Sequence, residues 1–85
     1  MNWFRLAAEQ GDADAQSNLG LGYALGQGVL KDYVYAHMWG NVASFNGQEN
    51  GGQLRDLIET QKTPSQIEKA QDLARECLAN NYKDC

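Results

Sequence analysis

The sequence has little of what marks metal proteins, nucleic-acid binders and membrane proteins. Its 85 residues include one histidine and two cysteines. Three such ligands without zinc-site spacing make no metal centre. Seven basic residues stand against eleven acidic ones, a net charge of −4. That balance excludes the basic face needed to hold nucleic acid or an anionic membrane. No apolar run approaches the roughly 18 residues of a membrane span, and the N-terminus lacks the basic-then-apolar build of a signal segment. Strands are missing too, because no stretch alternates with period two between turn residues. What remains is a 42% hydrophobic chain with one proline and nine glycines. It predicts one small all-α domain over 1–85, whose thin core buries roughly 60% of the unfolded surface.

Five helices are predicted from apolar spacing and end signals. Trp3, Leu6 and Ala7 mark a short helix that stops at Gly11. Asp12 caps a second, about 13–25, with Ala15, Leu19 and Tyr23 one turn apart and Gly26-Gln27-Gly28 ending it. Asp32 caps a third, about 33–45, with Ala36, Trp39 and Ala43 on one stripe. Leu54, Leu57 and Ile58 edge a poorer fourth helix, about 50–61, whose start Gly51 and Gly52 weaken. Thr63-Pro64-Ser65-Gln66 opens the last, about 64–80, with Thr63 as cap, Pro64 at the first position and Gln66 closing a capping box.

The chain also resembles itself. Trp3-x-x-x-Ala7-x-x-x-Gly11 recurs as Trp39-x-x-x-Ala43-x-x-x-Gly47, 36 residues later. Two helices per period in the mid-thirties is the pattern of an α-solenoid, in which each hairpin covers the bare face of the last. Three runs carry a closer likeness: Ala8-Glu9-Gln10-Gly11-Asp12-Ala13-Asp14-Ala15-Gln16, then Leu19-Gly20-x-x-Tyr23-x-x-Gly26-Gln27-Gly28-Val29, then Asp32-Tyr33-x-x-Ala36-x-x-Trp39-x-x-x-Ala43. Over residues 8–44 the chain resembles the Sel1-like repeat proteins, relatives of tetratricopeptide repeats. The resemblance implies a short right-handed α/α superhelix: a half repeat over 1–11, a full unit over 12–47, and a divergent unit with a capping helix over 48–85.

The same resemblance implies a non-catalytic scaffold that binds a protein or peptide, an adaptor in complex assembly or signalling, with no cofactor. In such arrays the first helix of each unit lines the concave groove. If Ala15, Leu19 and Tyr23 point inward, then Asp14, Ser17, Asn18, Leu21 and Leu25 point outward and are the candidate partner-binding face. Trp3, Phe4 and Leu6 have no preceding helix to cover them. A homodimer through residues 1–10 answers that; a different partner or local disorder are the alternatives.

Cys77 and Cys85 are separated by seven residues. The chain can fold back after Asn80-Asn81, and the spacing is similar to that of cysteine-rich members of the family. Either the two form a disulfide that staples the C-terminus, or they are free thiols. A bridge would favour a periplasmic or secreted setting. Rival functions are a small enzyme that uses His37 with a cysteine or the acidic cluster, and a terminal piece of a longer array; His37 otherwise reads as a surface or partly packed helix residue. Gly20-x-Gly22-x-x-x-Gly26 only imitates a dinucleotide fingerprint, since no strand precedes it. Glu9, Asp12 and Asp14 read as acids that complement a helix N-terminus rather than as an acid–base pair.

Overall fold

A computed structural model describes residues 2–83 and 85, apart from the side chains of Asn2 and Trp3. The protein is all-α: α1 (Asn2–Glu9), α2 (Ala13–Leu25), α3 (Tyr33–Phe45), α4 (Glu49–Glu59) and α5 (Pro64–Ala79), with no strand among the described residues. Helices α2 to α5 each start where a side chain satisfies an orphan amide. Asp12 accepts from the Ala15 N–H at 3.1 Å, and Asp32 accepts from Val34 and Tyr35 at 2.9 and 3.1 Å. Thr63 and Gln66 exchange two bonds of 3.2 Å in a complete capping box. Gln48 caps α4.

α3 is the central helix, with α2, α4 and α5 all packed against it, while α1 lies on α2. The pairing sets the directions. Ala8 meets Gln16 and Arg5 meets Tyr23, so α1 and α2 are antiparallel. His37 meets Glu59 and Gly40 meets Gly51, so α3 and α4 are antiparallel. Asp14 bonds Gln48 and Gly20 sits beside Leu54, so α2 and α4 lie side by side and parallel. The core between these helices holds Leu19, Met38, Trp39 and Val42, all essentially inaccessible to water. Burying each contributes about 1.5–3 kcal/mol. The Trp39 indole N–H finds no acceptor among the described residues.

Glycine decides how close the helices come. A Cβ on Gly51 would stand 2.6 Å from the Ala43 Cβ and 2.7 Å from the Gly40 carbonyl oxygen. Gly51-Gly52 therefore acts differently from the sequence-based expectation of a weakened helix start. Both residues are buried where α4 crosses α3, and the propensity cost is offset by backbone packing that a side chain would prevent.

A chain of side-chain hydrogen bonds through buried Gln16 and half-buried Asn46 ties the turns together. Gln16, fully buried, donates to the Ala8 carbonyl at 3.0 Å and accepts from the Asn46 amide at 2.9 Å. The Asn46 oxygen in turn accepts from the Tyr82 hydroxyl at 3.2 Å. Tyr82 reaches it from a left-handed turn, with φ of 55° at Asn81 and 67° at Tyr82. That turn carries the C-terminus back over Gly11, and Lys83 donates to the Glu9 carbonyl at 3.2 Å. Replacing Gln16→Ala leaves the half-buried Asn46 amide without its acceptor, while the Ala8 carbonyl keeps the Gly11 N–H at 3.1 Å. The expected loss is about 1–3 kcal/mol, read as a lower urea midpoint with an unchanged slope.

Candidate interaction surface

The outward stripe of α2 follows from which residues the core claims. Ala15, Gln16, Leu19, Gly20 and Ala24 are buried. Asp14, Asn18, Leu21 and Leu25, spaced four, three and four residues apart, point to solvent, and Ser17 beside them is half-buried. Leu21 is 44% exposed and Leu25 56%. Asp14 accepts a bond from the Gln48 amide, which joins the N-terminal ends of α2 and α4. On α4, Leu57 is 58% exposed and stands 36 residues after Leu21. From sequence Leu57 reads only as part of an apolar edge; on α4 it falls at the same 36-residue shift from Leu21 that relates Gly11 to Gly47. Those two glycines share the same left-handed backbone, with φ of 93° and 96°.

At the other end of α2 and α4 the connecting loops place two cations on one ring. The Lys31 and Lys62 ammonium groups stand 5.1 and 4.1 Å from the centre of Tyr33. The hydrogen bond from Lys31 holds the Tyr33 phenol below its usual pKa, against a smaller opposing effect of burial.

Among the terminal residues expected at a dimer contact, Phe4 and Leu6 are exposed on α1, and the Trp3 side chain lies outside the described residues. Ala7, Leu78 and Tyr82 each pack against the main core that contains Ala8.

His37 is fully buried rather than the surface or partly packed histidine expected from sequence. Its Nε2 lies 2.7 Å from a Glu59 carboxylate oxygen, and its Nδ1 has no partner among the described residues. It borders a cleft with Tyr33, Lys62 and Gln66 whose free space, about 10 Å³, suits a single water. Cys77 borders a different cavity, of about 180 Å³, with Tyr35, Met38, Leu73 and Glu76. Its sulfur is bonded to Cys85, with the Cα atoms 5.5 Å apart. A bridged sulfur offers no thiolate, so His37 and Cys77 do not form a nucleophile–base pair here. Gly20 and Gly22 lie buried inside α2, where Gly20 admits the backbone of α3, and neither begins a phosphate loop. No cluster of metal-ligating side chains occurs among the described residues, and no described helix is long and apolar enough to cross a membrane.

No protein-family model and no curated protein matches the chain significantly.

Cys85→Ser frees the turn that carries Tyr82. The expected loss is about 2–3 kcal/mol for so short a closed loop, and intact-mass measurement on the parent chain should show a gain of about 2 Da on reduction.

Proposed function

We propose that this chain is a non-catalytic interaction module of the Sel1-like repeat kind, holding a protein or peptide on the outer face of α2 and α4 as an adaptor. The observation that carries the reading is that Leu21, Leu25 and Leu57 are left in water on two adjacent parallel helices while smaller residues are buried behind them. Exposed leucines set among Asp14, Asn18 and half-buried Ser17 suit a partner that brings apolar anchors and a polar border. The parallel α2 and α4 and the matched turns at Gly11 and Gly47 support the repeat reading. The engaged partners of His37 and Cys77 weigh against the rival enzyme reading.

The test compares the parent chain with the Leu21→Asp/Leu25→Asp variant as affinity baits, with circular dichroism confirming that both are folded. Proteins retained by the parent and lost from the variant by at least about tenfold are expected. Equal retention rejects the face.

Phe4 and Leu6 support a second contact, a homodimer through residues 1–10 that covers the end of α1. Light scattering across a dilution series is expected to show mass falling from dimer to monomer, and a monomer mass at every concentration removes this contact.

A further inference from the structure

The net charge is not spread evenly. α2, α4 and their caps carry Asp12, Asp14, Glu49, Asp56 and Glu59 against one basic residue, Arg55. Elsewhere six acidic and six basic residues cancel, so the whole −4 belongs to this one layer. The nearby cations are engaged. Arg55 holds Asn41 and Asp56, each at 3.0 Å, and Arg5 is turned to the Tyr23 hydroxyl. Lys31 and Lys62 stand on Tyr33 in the loops at the far end. Asp14, Glu49 and Asp56 are exposed. The exposed leucines thus lie in a layer of net acidic charge, in which, among the described residues, Asp14 meets only a neutral amide and Glu49 no cation.

We propose that the occupant of this face is a basic amphipathic segment of another protein, with apolar side chains on Leu21, Leu25 and Leu57 and Lys or Arg reaching Asp14 and Glu49. The inference rests on the docking reading above and names the partner's chemistry. A Lys or Arg side chain suits both halves of the surface, since its stem covers apolar area while its head stays at the carboxylates in water. An acidic segment brings like charges together and is rejected. Because the carboxylates are exposed, they act mainly on encounter rate, register and salt dependence, while the leucines supply the apolar anchor.

The experiment is selection from a random peptide-display library on the folded parent chain, with counter-selection on Leu21→Asp/Leu25→Asp. Recovered peptides are expected to combine apolar residues with net positive charge. A synthetic copy should bind about tenfold more weakly in roughly 0.5 M than in roughly 0.05 M salt. Asp14→Asn/Glu49→Gln, checked for unchanged melting, should weaken it about three- to tenfold. Neutral or acidic peptides that still require the leucines overturn the charge inference and leave the docking face standing. Peptides that bind the leucine variant equally well, or no enrichment at all, overturn both.

Discussion

Gln16 is a neutral amide placed where water cannot reach it. It must find a carbonyl for its N–H and a donor for its oxygen inside the protein, or cost the chain a large share of its small stability. It takes the Ala8 carbonyl from α1 and the Asn46 amide from the end of α3. Asn46 is then positioned to receive Tyr82 from the turn after α5. Four segments distant in the chain are satisfied only when all are in place. Hydrophobic burial is non-directional and would tolerate a helix rotated or slid by a residue; directional bonds to a buried amide do not. The rotation of α2 is set this way, and with it which of its residues face water.

The surface that results divides the labour between layers. Where α3 meets α2 and α4, glycines let backbones touch, and the apolar residues on that side are consumed by the core. The outer side of α2 and α4 keeps exposed leucines and the exposed carboxylates of Asp14, Glu49 and Asp56. The opposite side, where α5 and the C-terminus return across α3, is closed by Tyr82 and by the Cys77–Cys85 bridge. A chain of this size has too little interior to build a deep pocket as well as a core.

Much of the fold was legible in the residues. The positions of all five helices, the caps at Asp12, Asp32 and Thr63, and the stop at Gly26 rest on interactions within a few residues, so local spacing reveals them. The outward stripe of α2 follows from helical periodicity once its buried side is known. Other features were hidden because their meaning lies across the chain. Gly51-Gly52 reads as a poor helix start until the backbone of α3 is brought against it. His37 reads as an ordinary helix residue until Glu59 comes to it from 22 positions away.

The sequence by itself determined the local elements, the all-α class, the net acidity and the candidate outward stripe, because periodicity, capping and composition need no distant partner. Only the tertiary structure decided that α2 and α4 lie parallel with Leu21, Leu25 and Leu57 left exposed on them, that the acidic charge gathers on that layer, and that Gln16, Asn46 and Tyr82 form one bonded chain. Those are relations between residues about 30 to 36 positions apart, and such separations become distances only when packing brings the helices together.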